Sequence, residues 1–181
     1  MFEIRWHGRA GQGIITVSRL LAEAAFIEGK HVQAFPFFGP ERLGAPMSGF
    51  TRISDEPIEI HSLIYNPDVV IVLDDTLLNI ANVTEGLKKE GDLLINSKKS
   101  PKEIKKELNI DNDCFTVDAA KISFEIIGSG IAFNTAMLGA LVKVRPIIST
   151  DSIHKTLLKR FGKDIGQKNV EVMLQAYREV I

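Results

Sequence analysis

The 181 residues include a single cysteine, Cys114, so the chain forms no internal disulfide and cannot by itself hold an iron–sulfur cluster, which needs about four thiolates. A lone thiol fits a reducing compartment, and the cytoplasm is the expected location. Excess charge is also missing. Lys plus Arg number 22 against 23 Asp plus Glu, and the net charge of -1 gives no general pull toward nucleic acid or an anionic membrane, so any anion site must be local. There is no repeat, no low-complexity tract and no long unbroken hydrophobic run. The one uncharged stretch, residues 126–142, is interrupted by Gly128, Ser129, Gly130, Asn134 and Thr135 and falls short of the ~20 apolar residues of a membrane span. It is expected to form a buried loop and a buried helix. Near the amino terminus, Phe2-Glu3-Ile4-Arg5-Trp6 puts charges where a signal peptide needs hydrophobes, so export is not expected.

What is present is the composition of an ordinary globular protein, 45% hydrophobic and 25% charged, at a length that suits one domain over 1–181. Residues 2–7 alternate apolar Phe2, Ile4 and Trp6 with polar Glu3, Arg5 and His7, the period of a strand with one buried face. After a glycine-rich turn, Ile14, Val17, Leu20, Leu21, Ala24 and Ala25 recur at helical spacing up to Gly29. Strands are predicted over 32–38, cut by Pro36, and over 48–54, with a long loop between them. Residues 69–73 are a continuous run of Val, Ile and Leu, the mark of a strand covered on both faces at the centre of a parallel sheet. Shorter strands are predicted at 92–95 and 114–117, separated by a Lys-rich segment with a helix after Pro101. Helices follow over 119–127, 134–144, 152–161 (capped by Thr150 or Asp151) and 165–180. Strands alternating with helices predict an α/β fold: a single open, mostly parallel, Rossmann-like sheet flanked by helices, with a helical C-terminal part. Ligands of such sheets sit at the carboxyl ends of strands, near the topological switch point.

Gly8-Arg9-Ala10-Gly11-Gln12-Gly13 joins the first strand to the first helix. The glycines read G-x-x-G-x-G, not the dinucleotide order G-x-G-x-x-G, and no Lys-Ser or Lys-Thr follows as in a Walker loop. Three readings stand: classical NAD, FAD or nucleotide binding despite the departures, a tight turn with no ligand, or a local anion site in which the Arg9 guanidinium joins exposed amides to hold a carboxylate or phosphate. In the second loop, residues 36–47, three prolines and two glycines stiffen a backbone that carries Phe37, Phe38, Leu43 and Met47, as at a site, at an interface with another chain, or where a loop packs on its own sheet. Asp74-Asp75 ends the central strand, where metal binding competes with helix capping by Asp75. The histidines at 7, 31, 61 and 154 have no metal-ligand spacing, and no self-contained catalytic set is present.

Taken together, these segments resemble the gamma subunits of the 2-oxoacid:ferredoxin oxidoreductases. Residues 8–13 resemble that family's G-R-x-G-Q-G opening. Gln33-Ala34-Phe35-Pro36 with Gly39-Pro40-Glu41-Arg42-x-Gly44-Ala45-Pro46 resembles its second signature, and Asn134-Thr135-Ala136-Met137-Leu138-Gly139-Ala140 a third; Lys168-Asn169 falls where the last helix of the family has a similar pair. The resemblance implies a multi-subunit enzyme that decarboxylates a 2-oxoacid on thiamine diphosphate, passes electrons through iron–sulfur clusters to ferredoxin, and releases an acyl-coenzyme A. Thiamine diphosphate and magnesium then belong to alpha and beta chains and the clusters to a delta chain, with none held by this chain alone and coenzyme A as co-substrate. Arg9 inclines the resemblance toward the pyruvate and 2-oxoisovalerate enzymes, pyruvate first. The positions it implies for substrate or coenzyme A approach, or for subunit contact, are Gly8, Arg9, Gly11, Gln12, Gly13, Gly39, Pro40, Glu41, Arg42, Gly44, Ala45, Pro46 and Asn134, with no catalytic residue and no metal ligand. A noncatalytic α/β interaction module and a free-standing nucleotide-binding oxidoreductase are the alternatives. The isolated chain is expected neither to bind thiamine diphosphate tightly nor to turn over pyruvate; decarboxylation by the purified chain, free of partner subunits, would contradict this.

Overall fold

The computed structural model describes residues 1–37 and 44–181, apart from the side chain of Ile131. Phe38, Gly39, Pro40, Glu41, Arg42 and Leu43 lie outside the described residues.

The chain runs β1 (Phe2–Arg9), α1 (Ile14–Ile27), β2 (His31–Phe37), β3 (Pro46–Ser54), β4 (Val69–Val72), β5 (Asp92–Asn96), α2 (Pro101–Leu108), β6 (Asp113–Val117), α3 (Ala119–Ile127), α4 (Phe133–Val144) and α5 (Thr150–Glu179). The six strands form one sheet in the order β2-β3-β1-β4-β5-β6. β1, β4, β5 and β6 run parallel, while β3 lies antiparallel between β2 and β1. β2 is an edge strand, which is why Pro36, lacking an N–H, is tolerated within it. Along the opposite edge, Ile181 exchanges backbone hydrogen bonds with Thr116 of β6 at 2.9 and 3.1 Å.

The faces of the sheet are covered unequally. On one, Ile4, Trp6, Val69, Ile71 and Leu94 pack under the helices with Val17, Leu21, Leu138, Leu141, Leu157 and Met173. On the other, Val70, Val72, Leu93 and Ile95 meet Leu77, Val83 and Ile104, so β4 is buried on both faces, as its unbroken apolar run predicts. The alternation of β1 predicts a solvated polar face, and here the structure differs. Arg5 is buried and donates through Nη2 to the carbonyls of Val83 (3.0 Å) and Glu85. Next to it in β3, Arg52 is also buried and donates to Glu3 (2.8 Å), Gln33 (3.1 Å) and the Ile60 and Leu63 carbonyls. Guanidinium groups can be buried there because chain segments bring carbonyls down onto them, an arrangement that strand periodicity does not encode.

Helix ends also depart in detail from expectation. Ser149, not Thr150 or Asp151, caps α5 by accepting from Ser152. Asp74, not Asp75, caps the short turn after β4 by accepting from Thr76, while Asp75 accepts from the Ser97 hydroxyl at 2.6 Å. The two predicted C-terminal helices are continuous in α5 except at Gly162, where φ 75 and ψ 178 break the helical path.

Gly139, in the middle of α4, permits the closest helix approach. A Cβ built there would lie 1.9 Å from the carbonyl oxygen of Met173 in α5. Backbone cannot yield as a side-chain tip does, so Gly139→Ala is expected to lower unfolding free energy by about 1–3 kcal/mol, the usual cost of overpacking. Urea denaturation checks this, and an unchanged midpoint would show that α4 and α5 part at little cost.

Candidate functional site

The first parallel crossover carries β1 into the glycine turn, and β4 adds to the other side of β1, so the carboxyl ends of β1 and β4 flank the topological switch point. The backbone pairing continues past the ladder through Leu73 N–H to the His7 carbonyl at 2.8 Å. Side chains then bridge the crevice. Arg9 donates through Nε to Asp74 Oδ2 (3.0 Å), through Nη2 to the Thr76 hydroxyl (2.8 Å) and through Nη1 to the Gly44 carbonyl (3.1 Å). Gln12 folds back, accepting from the Arg9 amide at 2.7 Å and donating to Asp74 Oδ2 at 2.9 Å. The start of β3 is tied to the same turn by Ala10 N–H to Ala45 O (2.9 Å) and Gly44 N–H to Ala10 O (3.1 Å). Partial burial pushes the Asp74 carboxyl up, but hydrogen bonds from Thr76 and Gln12 and the charge of Arg9 outweigh it and hold it below the ordinary carboxylate range. The crevice where a dinucleotide would lie is thus bridged by the protein's own side chains.

The open space lies one step away, at the amino end of α1. Gly11, Gln12, Gly13 and Thr16 form one side of a cleft of about 670 Å3, whose other walls are the α3–α4 connection and the stretch of α5 around Gly162: Ile127, Phe133, Asn134, Phe161, Ile165 and Lys168 among them. Gly13 has φ 81, which favours glycine, and a Cβ on it would come within 2.2 Å of Asn134 Nδ2, so any other residue would also push the Asn134 side chain aside. Ser123 fixes the connection, donating to the Ser129 carbonyl (2.7 Å) and accepting from the Ala132 amide (3.0 Å). Thr135 holds buried Asn169 at 3.0 Å, and Asn169 in turn holds the Ile165 carbonyl at 2.9 Å.

The cleft is suited to an anion with an apolar extension. α1 has no side-chain cap, and the amides of Gly11, Gly13, Ile14, Ile15 and Thr16 find no acceptor among the described residues. Unpaired amides and the helix dipole favour negative charge there. Lys168 adds a cation, no carboxylate among the described residues lines the walls, and Ile127, Ala132, Phe133, Phe161 and Ile165 supply an apolar surface.

The sequence-derived positions therefore separate into two groups. Gly11, Gln12, Gly13 and Asn134 line the cleft; Arg9, Gly44 and Ala45 bond around the crevice, where Gly8 pairs with Met47 and Arg9 with Pro46 in the ladder. Arg9 is partnered by Asp74, and Gly39, Pro40, Glu41 and Arg42 lie outside the described residues. Phe161 and Ile165 were not legible as site residues, since nothing local distinguishes them from any helix face. Ile165, a large apolar side chain left exposed in the fold, is the signal that survives.

The donor set fits neither a metal nor a cluster: Cys114 is buried with its thiol pushed up to about 11 by burial, and among the described residues no group of three His, Cys, Asp or Glu gathers. A hydrolytic pair is excluded by proton position. Arg5 Nε donates to His7 Nε2 at 3.0 Å, so the ring proton sits on Nδ1, facing the Ser48 hydroxyl at 3.4 Å, and this histidine cannot act as base toward that serine. Among the described residues, no helix is long and apolar enough to cross a membrane.

A family model described as pyruvate ferredoxin/flavodoxin oxidoreductase matches residues 3–179. The chain belongs to that family. It is 47% identical over 180 residues to the pyruvate/ketoisovalerate oxidoreductases common subunit gamma of Pyrococcus furiosus, covering 99% of this chain and 97% of that one. It is 46% identical over 181 residues to the pyruvate synthase subunit PorC of Methanocaldococcus jannaschii, covering 100% and 98%. The crystal structure of the pyruvate oxidoreductase subunit PORC of Thermotoga maritima superposes with a TM-score of 0.90 at 45% identity, covering 99% of this chain and 97% of that one. The family resemblance read from residues 8–13, 33–46 and 134–140 is borne out, and so is the α/β sheet with its helical C-terminal part.

His7 links this region to pH. Burial, then the Arg5 charge, lowers its pKa from 6.5 to about 3. The unfolded chain therefore takes up a proton that the folded chain refuses: the stabilisation is complete above pH ~6.5 and is lost as pH falls toward ~3, at about 1.4 kcal/mol per pH unit. Between pH 7 and pH 5 the wild type should lose roughly 2 kcal/mol more than His7→Gln in urea titrations; parallel losses would contradict the buried neutral ring.

Proposed function

We propose that this chain is the gamma-type subunit of a 2-oxoacid:ferredoxin oxidoreductase, acting on pyruvate and, as the names of its relatives indicate, 2-oxoisovalerate, and that its cleft seats coenzyme A. The observation that carries the cleft reading is the pairing of uncapped amides at the start of α1 with Lys168 and an apolar wall, in a space of about 670 Å3. Coenzyme A joins a diphosphate to an adenosine and a long thiol arm, and it matches that pairing of charge and apolar surface. The complex supplies the rest: thiamine diphosphate and magnesium on alpha and beta chains, iron–sulfur clusters on a delta chain, and ferredoxin as electron acceptor. This chain holds the acyl acceptor at the edge of the catalytic pair and contributes no reacting atom. Residues 1–181 act as one domain in this role, in the cytoplasm, where a lone thiol such as Cys114 stays reduced.

The bridged crevice speaks against the free-standing nucleotide-binding oxidoreductase, because Arg9, Gln12 and Asp74 stand where the cofactor's diphosphate would enter. A noncatalytic module is distinguished by reconstitution. Complex assembled from co-expressed subunits should reduce ferredoxin with pyruvate and coenzyme A, and Lys168→Ala should raise the KM for coenzyme A about tenfold, the loss of one charged contact, with the KM for pyruvate unchanged. An unchanged coenzyme A KM would reject the cleft.

A further inference from the structure

The side-chain network at the switch point converges on one carboxylate that does not itself line the cleft. Asp74 Oδ2 accepts from Arg9 Nε at 3.0 Å and from Gln12 Nε2 at 2.9 Å, while Oδ1 accepts from the Thr76 amide at 3.1 Å and from its hydroxyl. Both Oδ2 donors belong to the glycine turn. Gln12 closes the circuit by accepting the Arg9 amide, so a turn with positive φ at Gly11 (99) and Gly13 (81) is held at its first and fourth residues after β1 enters it. Without that hold, those glycines would sample other conformations freely. The carboxylate itself is anchored. β4 is buried throughout, and the following residues are fastened to β5 by Asn96 Nδ2 to Leu73 O (3.0 Å) and by Ser97 to Asp75.

We propose that Asp74 is the positioning residue of the coenzyme A seat: by drawing Arg9 and Gln12 onto one oxygen, it fixes the glycine turn in the shape that aims the Gly11 and Gly13 amides and those of the first turn of α1 at the diphosphate. The proposal rests on the cleft reading above. Asp74 acts through the turn, since its carboxylate stands outside the cleft lining and is engaged by Arg9, Gln12 and Thr76. Arg9 accordingly serves as one of the struts of the turn, its Nε, Nη1 and Nη2 all engaged within the protein.

The test uses the assembled complex, with calorimetric binding of coenzyme A, steady-state kinetics and melting temperature measured on the same preparations. Asp74→Asn keeps the shape and the Thr76 cap but presents an N–H2 or a single oxygen to two donors. It is expected to weaken coenzyme A binding about tenfold while kcat at saturating coenzyme A and the KM for pyruvate stay within twofold of wild type. Thr76→Val, outside the cleft lining, should shift coenzyme A affinity in the same direction by a smaller factor, and it serves if Asp74→Asn fails to assemble. Lys168→Ala separates the two levels. If it weakens coenzyme A binding while Asp74→Asn and Thr76→Val do not, the positioning role is overturned and the cleft stands. Unchanged binding in all of these variants overturns both. A fall in kcat and melting temperature with both KM values raised alike in Asp74→Asn and Thr76→Val also overturns the positioning role, leaving Asp74 a plain structural brace.

Discussion

β1 is hydrogen-bonded along both sides, antiparallel to β3 and parallel to β4, so its carboxyl end is fixed by backbone alone before any side chain contributes. Everything at the candidate site follows from where that strand stops. The glycine turn begins at a defined point, α1 leaves it in a defined direction, and Asp74 arrives from β4 within reach of both. A ladder bond is worth only about 1 kcal/mol net, but a strand with no free edge cannot slip register without losing many at once. The site therefore sits on the least movable part of the sheet.

That placement changes what the fold does with its switch point. In open α/β sheets, the crevice beyond the carboxyl ends of the strands is where ligands bind. Here it is occupied by an Arg–Asp–Gln cluster that satisfies itself, and the available volume is shifted onto the helical face between α1 and α5. A dinucleotide-binding architecture has in effect been given a different mouth, lined by residues some 120–155 positions later in the chain.

The backbone of the fold was legible because its signals are local. The period-two pattern of residues 2–7, the apolar run at 69–73 and the 3.6-residue spacing from Ile14 each report burial of a face, and β1, β4 and α1 stand where those patterns place them. What failed to show was whatever depends on another segment. Alternation makes Arg5 and Arg52 look solvated, because the carbonyls that receive them come from residues 60–85. Asp75 looks a better cap than Asp74 only until the geometry of the turn decides which carboxylate faces the amide of Thr76. The cleft was half visible. The glycines and Asn134 advertise tight backbone and a close approach, whereas Phe161 and Ile165 are ordinary helix residues until α5 is laid against α1.

The break at Gly162 falls inside the stretch of α5 that lines the cleft, between Phe161 and Ile165. Ile153 and Leu157 before it are fully buried in the core under the sheet, while Ile165 and Lys168 after it stand exposed on the cleft wall. A residue with φ near 75 interrupts the helical hydrogen bonds that would otherwise make the two pieces a single rod. Both pieces keep a hold on the core, Leu157 before the break and Met173 after it, so the short span from Phe161 to Lys168 is the part of α5 that a change of direction at one glycine re-aims, and the shape of the cleft wall can shift while the packing at either end stays put.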